Sequence, residues 1–163
     1  MKAIRRTLIA TVVAALAAAL VGSQLSATAA PAVVLKFDTM APVTGPYVGS
    51  SNPIRGINGG GKAWQLDSAM GLLERNGHLI VHVRGLVLVS TGANPIADFK
   101  AVVSCQTITD GAATVTNVTT GQFPASGTGD ADLETSVALP APCIAPIVFV
   151  TSPGGAWFSA SGV

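Results

Sequence analysis

Two histidines, three clustered acids, two cysteines and one glycine-rich stretch hold most of the chemistry open to this chain. His78 and His82 stand four residues apart, a spacing that on a helix would bring two imidazoles to one zinc ion. Asp130, Asp132 and Glu134 recur at every second position. On a strand they would share one face, with neighbouring carboxylates roughly 7 Å apart, a separation found between the paired acids of glycosidases. Gly56-Ile57-Asn58-Gly59-Gly60-Gly61-Lys62 has the spacing of a phosphate-cradling loop. Trp64 and Trp157 could offer rings for a sugar to stack on. Cys105 and Cys143 could be ligands, a nucleophile or a disulfide.

The surroundings of these residues narrow the choices. Ala63 follows Lys62 where a phosphate loop needs a hydroxyl to hold magnesium, no periodic strand precedes the loop, and Trp64-Gln65-Leu66-Asp67 opens no helix; no nucleotide is expected. The histidines lie in an alternating run, His78 to Val89, which reads as a strand. There they stand about 13 Å apart on one face, too far to share a metal. The acids have neither the sixth-position glycine nor the terminal glutamate of a calcium loop. The chain has no Gly-x-Ser-x-Gly elbow, and two histidines leave few bases for a nucleophilic centre. We therefore assign no catalytic residue, no metal ligand and no cofactor. Asp130, Asp132, Glu134, His78 and His82 remain as a candidate surface site on a solvated face, and both tryptophans read as core.

The elements that must position these residues begin after a leader. Met1 to Arg6 is a short basic start, Thr7 to Val21 is apolar or small without a charge, and Ala27-Thr28-Ala29 is a small-x-small cleavage pattern. Residues 1–29 are expected to be a signal peptide and residues 30–163 one domain. The apolar core of about fifteen residues falls short of the roughly 20 that span a bilayer, so no stable membrane span is expected after cleavage. Arg5-Arg6 leaves the export route open between the general secretory and twin-arginine pathways. An exported chain with two cysteines is expected to pair them. Closing the Cys105–Cys143 loop would stabilise the fold by about 4 kcal/mol on the chain-entropy model.

Removing Lys2, Arg5 and Arg6 from the nine cations leaves six against eight acids, so the domain carries about −2. Lys36, Arg55, Lys62, Arg75, Arg84 and Lys100 are scattered, which excludes the clustered cations that nucleic acid requires. Fourteen charges in 134 residues are few, and Thr, Ser, Ala and Gly must fill the surface. Such a surface suits contact with cell-envelope polysaccharide or protein.

From Val33 onward the periodicity is that of strands. Val33 to Asp38, Ala63 to Asp67, Gly71 to Glu74, His78 to Val89, Phe99 to Gln106, Ala112 to Val118, Asp132 to Leu139, Ile147 to Thr151 and Ala156 to Ala160 read as extended. Asn76-Gly77 reads as a type I′ hairpin turn, Asp110-Gly111 as a second tight turn, and Gly85 as a bulge. Ala41 to Gly61, crowded with Pro and Gly, reads as a long ordered loop with a brief extended piece near Ile54. So many short strands with turn signals predict an all-β fold, a single immunoglobulin-like or related β-sandwich. Cys105 faces inward with Phe99, and the disulfide would join a strand end to the Pro140–Pro146 turn.

Several phrases carry a resemblance. Asn52-Pro53-Ile54-Arg55-Gly56 with the following glycines and Trp64, Gly77 to Leu88, Phe99 to Cys105, and Pro142 to Phe158 together resemble a family of uncharacterised secreted proteins from actinobacteria and related soil bacteria. The resemblance spans nearly all of the domain and implies export and paired cysteines, without an activity. The Gly77-His78-Leu79 and Val83-Arg84-Gly85-Leu86 segments are also similar to secreted CHRD-type domains, without their His-x-His motif.

The sequence thus predicts a secreted, non-enzymatic binding or structural module acting outside the cell or at its envelope. The alternatives are a small secreted hydrolase using Asp130, Asp132 or Glu134, and a metal-binding secreted domain using His78 or His82.

Overall fold

Alternating apolar and polar residues rich in Val, Thr and Ile favour pleated strands over helix, and eleven strands form among the described residues. They are β1 (Val33–Phe37), β2 (Ala41–Pro42), β3 (Trp64–Gln65), β4 (Ser68–Glu74), β5 (His78–Arg84), β6 (Val87–Leu88), β7 (Asp98–Thr109), β8 (Ala112–Pro124), β9 (Ala131–Ser136), β10 (Ile144–Thr151) and β11 (Trp157–Ala160). The structure, a computed structural model, describes residues 32–162, and the expected signal peptide over residues 1–29 lies outside the described residues. Among the described residues the helical structure is a single 3-10 turn, Gly45–Tyr47, and no helix is long and apolar enough to cross a membrane.

A four-stranded sheet has the order β1-β4-β5-β9 and a five-stranded sheet the order β2-β11-β10-β7-β8, with β3 and β6 as a small separate pair. All pairings between these strands are antiparallel. Leu73, Leu79, Val81, Val83 and Leu133 of the first sheet share one buried cluster with Phe99, Ala101, Val103, Val148, Val150 and Phe158 of the second. Trp64 stacks on Phe158 with ring centroids 4.0 Å apart. The chain is an all-β sandwich, as its periodicity predicts. Each large apolar side chain buried here contributes about 1.5–3 kcal/mol relative to exposure.

The two sheets differ in how their outer faces are used. In β5 and β9 buried and open positions alternate, so the outer face of the four-stranded sheet is open to solvent. In β7 every residue from Ala101 to Cys105 is buried, as are Val148 to Thr151 of β10 and all of β11. Consecutive burial means that both faces of these strands are covered. The outer cover is the segment from Val43 to Gly61. Trp157 N–H donates to Asn58 O, Gly60 N–H to Trp157 O, and Gly49 N–H to Gly60 O. Arg55 pins the segment by donating to Ser104 O at 2.8 Å and Ala145 O at 2.7 Å. A side chain at Gly59 would strike the Tyr47 carbonyl and Val43, so glycine there permits the close approach. The long loop is ordered, and the brief piece near Ile54 is an Ile54–Ile57 bridge.

Three local expectations need correction. Asn76-Gly77 does not form a two-residue I′ turn. Gly77 alone takes a positive φ, 89°, and its N–H donates to Glu74 O, giving a three-residue connection of the kind that ends in a left-handed residue. Gly85 (φ 67°) ends β5 instead of bulging within one strand; beyond it Leu86 N–H donates to Gly129 O, and Val87 and Leu88 leave to pair with β3. The strand expected over Ala63 to Asp67 is only Trp64–Gln65, and the next begins at Ser68 instead of Gly71. Asp110 (φ 51°) and Gly111 (φ 79°) both take the left-handed region expected of a type I′ turn.

Cys105 and Cys143 form a disulfide with Cα atoms 4.9 Å apart. It ties the interior of β7, not its end, to the residue just before β10.

Candidate functional site

Strand register decides which of the polar residues meet. β5 lies between β4 and β9, with His82 opposite both Met70 and Asp132, and Ile80 opposite both Leu72 and Glu134. Because directly opposed residues share a face, His78, His82, Arg84, Asp132 and Glu134 come together on the open side of the four-stranded sheet. The sequence places the histidines on one strand face and the acids on another; the fold brings these faces into one ladder.

Two clusters result. In the first, His82 Nδ1 stands 2.7 Å from Asp132 Oδ1. Arg84 Nη2 donates to the same carboxylate at 2.8 and 3.2 Å. The other guanidinium nitrogen, Nη1, donates to Val83 O and Ala131 O, which fixes the fork against the strand ends. The hydrogen bond from His82, followed by that from Arg84, holds the Asp132 carboxyl below its ordinary range. In the second, His78 Nε2 lies 3.1 Å from Glu134 Oε1 and Nδ1 lies 3.4 Å from Glu74 Oε2. A carboxylate therefore faces each nitrogen of the His78 ring. The His78 backbone N–H is fixed by Asn76 Oδ1 in the preceding turn.

Asp130 does not join the ladder. It sits just before β9, accepting the Gly85 N–H at 3.0 Å and the Thr128 hydroxyl at 2.9 Å. These two bonds, the backbone one first, lower its carboxyl pKa. Its role is to close the corner where β5 ends. Arg84 and Glu74 join these clusters from outside the five candidate residues. Arg84 carried a signal, lying two residues from His82 in an alternating strand. Glu74 could be found only once the connection to β5 was known to hold three residues.

His82 bonded through Nδ1 to a carboxylate leaves Nε2 facing solvent, the orientation of a general base. Such a base needs a nucleophile within hydrogen-bond reach, and among the described residues Nε2 has no such partner. The Asp132 side chain is 58% exposed and that of Glu134 72%. The sheet face bears an open recess of about 280 Å³ lined by Lys36, Phe37, Met70, Leu72, Ile80 and His82, among others; neither Asp132 nor Glu134 lines it. Among the described residues no group of three His, Cys, Asp or Glu side chains is arranged to hold a metal ion. Trp64 and Trp157 are buried, so neither presents a ring to a sugar. The glycine-rich stretch before Lys62 lies along Trp157 through a parallel bridge at Gly59, which occupies its backbone in packing.

No protein-family model matches the chain, and comparison with curated proteins and with solved structures finds no match.

Proposed function

We propose that this chain is an exported binding module that contacts cell-envelope polysaccharide or protein through the open face of its four-stranded sheet, and that it catalyses no reaction there. The observation that carries the reading is the contrast between the two outer faces. The five-stranded sheet spends its central outer face on the Val43 to Gly61 cover, whereas the four-stranded sheet leaves its own bare. That bare face combines an apolar lane, Met70, Leu72 and Ile80, with the paired ladder of His78, His82, Arg84, Asp132 and Glu134. Interfaces of this kind unite apolar contacts with polar groups that fix orientation. Pairing Arg84 with Asp132 within the face lowers the cost of covering that charge. Export is supported by the leader, the closed disulfide and the sparse charge.

The test is co-sedimentation of the folded protein with cell-wall polysaccharide and with envelope protein fractions, alongside Met70→Lys and His82→Ala. Retention on one fraction that both substitutions abolish is the expected result. Indifference to every fraction, or equal retention of parent and variants, would overturn the reading.

The His82–Asp132 pair favours one further reading, a small hydrolase with His82 as base. Turnover of ester or glycoside substrates that Asp132→Asn reduces would establish it; identical rates in parent and variant would dismiss it.

A further inference from the structure

The two sheets have four outer strands, and their edges are not alike. An unpaired edge offers a row of backbone donors and acceptors to another strand, and proteins guard such edges with charge, proline, bulges or shortness. β1 carries Lys36 and an irregular register between Val33 and Leu35. β2 has two residues and ends on a proline. β9 carries Asp132 and Glu134. β8 has thirteen residues, pairs only with β7, and bears no charged side chain from Ala112 to Pro124. Its proline is its last residue. Its register shift falls late, between the Lys100–Gln122 and Val102–Thr119 pairs, where Ala101 N–H donates to the Thr120 hydroxyl. Ala112 to Thr119, about 27 Å of extended chain, precedes that shift unguarded.

The same end of the hairpin carries a row that is apolar on either side of Gln106. Ile144, Gln106 and Val115 are aligned across β10, β7 and β8, and Ile108 lies opposite Ala113. Ile108, Val115 and Ile144 are 55%, 45% and 49% exposed. Beyond Gln106, β10 no longer flanks β7, so the hairpin projects as a two-stranded ribbon.

We propose that β8 is a self-association edge: two copies of this chain pair antiparallel through Ala112–Thr119, joining two five-stranded sheets into one of ten strands. Charge selects a second copy as the occupant. Antiparallel pairing of a strand with itself about a two-fold axis sets like residues near like, which is costly for a charged edge. At β9 it would set Asp132 and Glu134 against their counterparts. At β8 it sets Thr, Val, Ala and Asn against the same types, and the apolar row continues across the seam.

The experiment is sedimentation velocity across a concentration series. It uses the chain expressed with its leader and recovered with the disulfide closed, together with two double variants at exposed positions, Ala113→Lys/Val115→Lys and Ala113→Glu/Val115→Glu. The parent is expected to show a concentration-dependent dimer. Each variant, its fold checked by circular dichroism and melting temperature, is expected to self-associate at least about tenfold more weakly, since like charges then face each other across the seam. An equimolar mixture of the two variants is expected to recover a dimer. A parent that stays monomeric at every concentration overturns the proposal, as does a dimer that neither variant weakens. So does a mixture of folded variants no more associated than either alone.

Discussion

Asp130 and Asp132 are two residues apart, and each is held by a different part of the molecule. Gly85 and Thr128 hydrogen-bond the first; His82 and Arg84 hydrogen-bond the second. Both carboxyls titrate below their ordinary range in the folded chain. A carboxyl with a depressed folded pKa adds stability that is full above its unfolded value and disappears as pH falls through the folded value. The melting temperature is therefore expected to decline as pH drops from about 4. Asp130→Asn and Asp132→Asn should each make that decline shallower while lowering stability at neutral pH, as followed by thermal denaturation over a pH series. Asp132 is exposed and Asp130 half-buried at the surface, so each change in melting temperature should be small. Gly85 adds a steric condition at the same corner: a Cβ there would run into the Asp67 carboxylate, and its φ of 67° already favours glycine.

At the scale of elements, the Val43 to Gly61 segment shows how far local pattern reaches. Its Pro and Gly content reads as a loop, and its order is a fair expectation. That it covers β10 and β11 is not, because contacts such as Arg55 with Ala145 join residues 90 apart, which no local window spans. Arg55→Ala should leave the Ser104 and Ala145 carbonyls without these donors and destabilise the fold by about 1–3 kcal/mol. Urea denaturation measures that loss, and faster hydrogen exchange at the Gly49, Gly59 and Gly60 amides would localise it to the cover. β3 and β6 were equally illegible as a pair, since two-residue strands have no period. β5 and β9 were legible as alternating strands and His82 as outward-facing, but the pairing of His82 with Asp132 needed a register set 50 residues away. The disulfide partners followed from counting, because two cysteines permit one bridge.

For the whole molecule, the Cys105–Cys143 bond joins the interior of β7 to the residue just before β10, in the sheet that carries the outer cover. Removing it through Cys105→Ala/Cys143→Ala should cost about 2–5 kcal/mol, chiefly by freeing a loop of 38 residues in the unfolded chain. Reductant should lower the parent's melting temperature and leave the variant's unchanged. The two tryptophans report on different halves of this architecture. Trp64 lies in the interior against Phe158 and Phe99, while Trp157 lies between Phe149 and Tyr47 beneath the outer cover. In a Trp64→Phe protein the remaining indole becomes an optical gauge of that cover. A red shift in its emission that precedes the collapse of the far-ultraviolet signal would time the lifting of the outer layer separately from the melting of the sheets, without any label added to the chain.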